Sequence, residues 1–398
     1  MQSKNPGVAA DRTWSRRSVV RTLGATAGAT AFAPMIGASS VRIGGQAVEY
    51  SRRCIDLVTE SLVIDMLSPL TINNEIQQRW GPSLDGFSEE DFQEFRASEI
   101  DVFSIAVGVG GRTDTDAHIN VLNYIGRLNS TIANRPDAFM RIDSAADLDA
   151  VQGSGKVGIL IGLQNSDHFR GPADVGAFHG LGQRVSQLTY NARNRIGNGS
   201  TERVDGGISD FGVSIVEAMN QVGMAVDVSH SGDRTTLDAC EVSSGPVLFT
   251  HSNSRELSGG HPRTKTDEAI EAMAATGGVM GITGVRMFVK SDEPTTVEHF
   301  LDHYDHVRDL VGVEHLGIGS DIDLHGYDDL PEAQNRALRA NYKDSYAFRD
   351  KIDIEGIDHP RRVFDLTEGL IHRGYTDEHI RGILGGNFAR VLKEIWEV

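Results

Sequence analysis

The sequence predicts an α/β protein folded as a closed, TIM-like (β/α)8 barrel. Eight short β-branched runs alternate with amphipathic helical segments. The runs are apolar throughout rather than at every second residue. No Gly-x-Gly-x-x-Gly follows the first of them. Runs apolar on both faces belong to parallel strands covered on both sides. Eight β–α alternations favour a closed barrel over an open doubly wound sheet, and the missing glycine fingerprint argues against a dinucleotide fold. At 398 residues the chain has the length of a single barrel domain with additions.

The first forty residues stand apart. Residues 12–21 read RTWSRRSVVR, and a Gly/Ala-rich apolar stretch runs from there to about Ala38. A basic pair, a weakly apolar segment and small residues near its end form the pattern of a twin-arginine export signal. Residues 1–40 are therefore expected to be a signal peptide read by the twin-arginine export machinery, with a periplasmic or otherwise exported product. Residues 41–398 are expected to be one barrel domain with C-terminal helices. Removing the signal leaves 33 basic against 55 acidic side chains, a net charge of −22. Such a surface repels nucleic acid and anionic lipid. Cys54 and Cys240 are too few for a disulfide framework or an all-cysteine zinc site. They can form one bridge or stand as free thiols.

The expected strands are 62–67 (LVIDML), 102–107 (VFSIAV), 157–163 (VGILIGL), 185–190 (VSQLTY), 224–229 (MAVDVS), 247–251 (VLFTH), 279–283 (VMGIT) and 316–321 (LGIGSD). Helical patterns fall at 87–100, with Ser88 as N-cap, and at 117–133, 212–222, 266–276 and 296–310. Residues 361–372 and 377–396 read as closing helices.

Catalytic groups of such a barrel sit at the C-terminal ends of its strands. Here two successive strands end in His230 and His251, and the last ends in Asp321. Imidazoles and a carboxylate on one rim are ligands suited to Zn²⁺ or a similar divalent ion. The alternative is that each histidine merely caps its strand. His299, His303 and His306 have helical spacing and read as a solvated helix face.

Several segments together resemble the renal (membrane) dipeptidase family of zinc-dependent, amidohydrolase-type barrels. They are VDVSH (226–230), PVLFTHSNS (246–254), HPRTKTDEAI (261–270), LGIGSDID (316–323) and GGNFARVL (385–392). The resemblance covers most of residues 45–398. It implies that His230 and His251 hold a zinc ion. It implies that Asp321 faces the metal and protonates the leaving amine, and that Arg263 binds a substrate carboxylate. It further implies a small peptide or amide substrate and, as is common in the family, a homodimer.

The matching positions also show departures. Leu67 and Pro69 stand where the family carries its first His and Asp ligands. Gln164 stands at the bridging Glu, and Tyr190 at the His that steadies the oxyanion. Gln offers one neutral oxygen, and the tyrosine hydroxyl still donates a hydrogen bond. The resemblance thus leaves one site with two histidines and a second with mainly Asp321, so one or two zinc ions remain open. Asp65 shares the strand parity of Leu67, which would point it into the barrel. It is either a further metal ligand or a buried structural acid. Asp167 and His168 either turn inward or cap a loop. Arg193, Arg195 and Arg203 lie in a Gly/Asn-rich loop, a solvated segment or an anion-binding one.

Three functions follow. The first is an exported dipeptidase using metal-activated water. The second is a mononuclear metallohydrolase of another amide, an ester or a lactone. The third is a metal-poor, non-catalytic barrel that binds a carboxylate. Metal content separates the first two from the third.

Overall fold

The computed structural model describes residues 38–43, 46–82, 84–107 and 116–397. Residues 1–37, which hold the expected export signal, lie outside them. The expected boundary at residue 40 falls within a strand, Ala38–Ile43, paired antiparallel with Gln46–Ser51.

Eight parallel strands close into a barrel in chain order. They are β1 (Ile64–Asp65), β2 (Val102–Val107), β3 (Val157–Leu163), β4 (Gln183–Gln187), β5 (Ala225–Asp227), β6 (Val247–Ser252), β7 (Met280–Ile282) and β8 (Leu316–Ile318). Each pairs with the next, and β8 pairs with β1 to complete the ring. A short strand, Phe139–Arg141, adds to the start of β3. Several strands are shorter than their apolar runs predict, because side chains take over the hydrogen bonding at their ends. At β5, Asp227 accepts from the backbone N–H of Ser229 and of Thr250. The polar ends that carry the chemistry thus stand in turns just past the ladder.

Alternation along the strands sorts the two cores. Phe103, Ile105, Ile159, Ile161 and Ile318 pack outward against the helices. Val102, Leu160, Ala225 and Leu248 fill the interior with Phe388 of the last helix, Asn387–Trp396, which plugs the barrel floor. A Cβ at Gly317 would stand 2.2 Å from the Phe388 ring, so only glycine admits that plug. The helices at Glu89–Ala97, Ala117–Asn134, Asp210–Val222, Asp267–Ala275 and Val297–Val311 lie within a few residues of the predicted segments. Ser88 caps the first with a reciprocal Asp91 capping box. The helix expected at 377–396 is broken by a π-helical turn, Gly382–Gly386.

Two expectations are corrected. Asp65 is in register with Phe103 and Ile318, which places it on the helix-facing side. There it pairs with Arg362 at 3.1 Å, with the two side chains 0% and 2% exposed. Strand parity counted from Leu67 fails because β1 ends at Asp65. His303 is fully buried rather than part of a solvated face: its Nδ1 accepts from Ser254 N–H, and its Nε2 donates to the Val289 carbonyl. The helix turns that position against β6, which periodicity among three histidines cannot reveal. Cys54 and Cys240 are both free.

Candidate active site

The turn after β5 and the end of β6 bring His230 and His251 together. Their Nε2 atoms lie 3.0 Å apart, and the side chains are 1% and 0% exposed. The other ring nitrogens fix the tautomers. His230 Nδ1 lies 2.7 Å from Asn191 Oδ1, an acceptor, so Nδ1 carries the hydrogen. The Thr250 hydroxyl donates to Asp227 Oδ2 at 2.7 Å and is therefore an acceptor for His251 Nδ1, 2.8 Å away. Both Nε2 atoms then present bare lone pairs to each other, an assignment that follows from the hydrogen-bond network. Burial, with Arg263 next, pushes both imidazoles well below the ordinary histidine range and keeps them neutral.

Two lone pairs at this separation repel unless a cation or a proton lies between them. Neutral imidazoles with outer N–H groups anchored to an amide and a hydroxyl–carboxylate pair match a divalent metal's needs. The pair therefore fits one ion. Gln164 stands beside it, with its amide nitrogen 3.4 Å from His251 Nε2, and a flip of that amide presents the oxygen instead.

A second ion does not fit. Leu67 and Pro69 offer no ligand, and Asp65 is engaged by Arg362 and by the N–H groups of Leu67 and Ser320. Among the described residues, no three His, Cys, Asp or Glu side chains gather in a metal-binding cluster. Asp321 is thus not joined with the two histidines into one ligand set.

Asp321 sits just past β8 with φ 62°, and its N–H donates to the Leu67 carbonyl at 2.8 Å. A non-glycine residue held in the left-handed region stores strain, and such positions concentrate at functional sites. Its carboxyl lines a small cavity with Tyr327, Tyr342 and Tyr346. Burial raises its pKa to about 7, with Arg263 opposing and Asp65 adding.

Tyr190 stacks on His230, with ring centroids 4.2 Å apart, and its hydroxyl lies 2.6 Å from that of Tyr342. Arg263 is fully buried. Nη1 donates to the Ser229 carbonyl and Nη2 to the His251 carbonyl at 2.9 Å, so its fork ties together the two histidine-bearing turns. Only Nε lacks a partner among the described residues. Lys265 from the same loop donates to the Val228, Ser231 and Thr236 oxygens, bracketing His230 from below.

His168 does not turn toward the mouth. It is buried between Phe169 and Phe178 and bonds Gln183 Oε1 at 3.1 Å. The Asp167 carboxylate accepts from the Asn165 side-chain amide at 3.1 Å, and the Asp167 N–H donates to Asn165 Oδ1 at 3.2 Å. Arg193, Arg195 and Arg203 line a surface groove away from the histidine pair.

Sequence reasoning missed Asn191, Thr250, Lys265 and Tyr342. Asn191 and Thr250 directly adjoin Tyr190 and His251, a signal that was available. Tyr342 lies 152 residues from its partner, and nothing local announces it.

The profile of the family described as membrane dipeptidase (peptidase family M19) matches residues 51–337 and 347–398. Dipeptidase verJ of Clonostachys rogersoniana is 29% identical over 280 residues, 70% of this chain and 65% of that protein. Dipeptidase tcpJ of Claviceps purpurea (strain 20.1) is 29% identical over 303 residues, 74% and 63% of the two chains. The chain thus spans somewhat under two thirds of the length of these relatives. An amidohydrolase structure from Pseudomonas aeruginosa superposes with a TM-score of 0.73 at 30% identity, covering 87% of this chain and 99% of the other.

Proposed function

Because this chain belongs to the membrane dipeptidase family, peptidase family M19, we propose that it is an exported, metal-dependent hydrolase of dipeptides or similar small amides, built on a single metal site. The observation that carries this reading is the pair of bare Nε2 atoms of His230 and His251, 3.0 Å apart at the barrel mouth. These two residues would hold the ion, zinc by family expectation, with Gln164 beside them. When bound, the ion supplies Lewis acidity at a substrate carbonyl and lowers the pKa of water.

The chain's own groups supply the rest. Asn191 and the Thr250–Asp227 pair keep the imidazoles in the ligating tautomer. Arg263 and Lys265 fix the turns that carry them. Tyr190 offers a hydroxyl donor over the His230 ring. Asp321 lines the cavity, which supports giving it the proton for the leaving amine in this reading. The twin-arginine pattern of residues 12–21 supports export.

A second reading is a mononuclear hydrolase of a non-peptide amide, an ester or a lactone. It is favoured by one observation: both terminal nitrogens of the buried Arg263 are engaged by main-chain carbonyls, which leaves Nε as its one unpartnered nitrogen among the described residues for a substrate carboxylate. The test is metal content per chain by elemental mass spectrometry, followed by a panel of dipeptides, amides, esters and lactones. One tightly held ion with dipeptide turnover supports the first reading. One ion with turnover confined to the other substrates supports the second. No tight ion overturns both and leaves a carboxylate-binding barrel.

A further inference from the structure

The histidine pair is closed off from solvent, while Gln164, Tyr190 and Asp321 stand half-buried at its edge. His230, His251 and Arg263 are at most 1% exposed, and the cavity beside Asp321 holds about 20 Å³, room for one water. Among the described residues this cavity is too small for a dipeptide, so a dipeptide reaching Asp321 requires part of the mouth to move.

One segment has the right construction. The chain leaves the barrel after Asp328 and returns at Ile352. The neck is clamped where the Asp328 carboxylate accepts from the N–H groups of Ile352 and Asp353, at 3.0 and 3.1 Å, and Asp353 accepts from Asp328 N–H at 2.7 Å. The helix Glu332–Arg339 is tied back through Arg339 to the carbonyls of Arg349 and Asp350. Beyond it, the tip meets the barrel through an apolar cluster, in which Leu338, Tyr342 and Tyr346 pack with Val285, Met287 and Phe288, and through a few polar contacts. Tyr342 meets Tyr190 hydroxyl to hydroxyl. Lys343 reaches the Thr201 carbonyl at 3.2 Å and Glu202 at 3.3 Å. The Tyr346 carbonyl accepts from His261 Nε2 at 2.9 Å. Ala347 follows with φ 50°, a strained joint for a residue with a Cβ. The family profile matches residues 51–337 and 347–398 and leaves the tip, 338–346, unmatched.

We propose that residues 338–346 are a substrate gate, latched by the Tyr342–Tyr190 hydrogen bond, and that Tyr342 forms the roof that limits substrate size. The proposal rests on the hydrolase reading above for the identity of what passes the gate, but not for the latch itself. A segment that hinges on a clamped neck and closes over a site by packing its own side chains is a usual construction of an active-site lid. Tyr342 stacks on Tyr346 at 4.4 Å and meets Phe348 edge-on at 5.2 Å, so Tyr342→Phe removes the latch while keeping the aromatic packing.

The experiment compares the wild-type chain with Tyr342→Phe and Tyr342→Ala. Hydrogen–deuterium exchange is followed by mass spectrometry in peptides covering 338–346 and 190–203. The expected result is at least threefold faster exchange in both regions for Tyr342→Phe, with unchanged exchange in the β3 and β6 peptides. Unchanged exchange at 338–346 overturns the latch. Turnover of Ala-Ala and Phe-Phe is then compared. Tyr342→Ala is expected to shift the kcat/KM ratio at least fivefold toward the bulky substrate, and a ratio within twofold of wild type overturns the roof. Absence of hydrolysis in every protein, with the exchange change present, leaves the gate standing and counts against the hydrolase reading instead.

Discussion

His230 and His251 face each other with their Nε2 atoms 3.0 Å apart, while each Nδ1 is committed to a different neighbour. This arrangement makes each histidine indispensable to a shared cation. His230→Ala or His251→Ala should reduce bound metal from one ion per chain to none after dialysis against a mild chelator. Far-UV circular dichroism should stay unchanged. Retention of a full ion by either variant would place the metal elsewhere.

The outer partners should matter nearly as much. Thr250→Val keeps the side-chain shape but removes the hydroxyl that links His251 to Asp227. Loss of such an outer ligand contact typically weakens metal binding about 10–100-fold. Asn191→Ala should act similarly on His230. Competition titration with a chromophoric chelator measures both, and affinities equal to wild type would show that the tautomers need no fixing.

The buried Asp65–Arg362 pair is a structural tie. Arg362 also donates to the Asp323 carbonyl and to the Ser68 hydroxyl, so it joins the ends of β1 and β8 to the helix Arg362–His372. Arg362→Met should cost about 3–5 kcal/mol, because it strands a buried carboxylate. Urea unfolding measures this directly. Metal content should show no second ion, since Asp65 faces away from the mouth; gain of an ion would restore Asp65 as a ligand.

Acid should weaken the fold through His303. Burial pushes its pKa down from 6.5 to about 4, and the neutral ring is what bonds Ser254 and Val289. Between those values the unfolded chain binds a proton that the folded chain refuses. Stability is therefore full above pH 6.5 and is lost as pH falls toward 4, by about 3 kcal/mol from this residue. His168 and His261 are also pushed down to about 4 and act in the same direction. In urea melts from pH 7.5 to 4.5, His303→Gln should start less stable and show a slope shallower by about one proton. An unchanged slope would remove His303 from this role.

The barrel was legible because its signal is local. Fully buried parallel strands must be apolar throughout, and helix starts need caps such as Ser88. The place of His230, His251 and Asp321 just past strand ends was legible for a related reason, since the apolar runs that precede them mark where each strand stops. Where the sequence misled, the cause was a property of three-dimensional register. Asp65 shares the parity of Leu67 in the sequence, but its ladder partners Phe103 and Ile318 turn it outward. His303 shares a spacing with His299 and His306, but only packing against β6 decides which of them is buried.

By itself, the sequence determined the barrel, the place of two histidines at successive strand ends, and the acidic charge. These depend on residue identity and short-range periodicity. Only the tertiary structure decided that the histidine lone pairs meet, that Arg263 holds two main-chain carbonyls, that Asp65 belongs to Arg362, and that the Tyr342 hydroxyl meets that of Tyr190. Each is a contact between segments far apart in the chain, and a hydrogen bond of 3 Å is set by the packing of the whole barrel rather than by neighbouring residues.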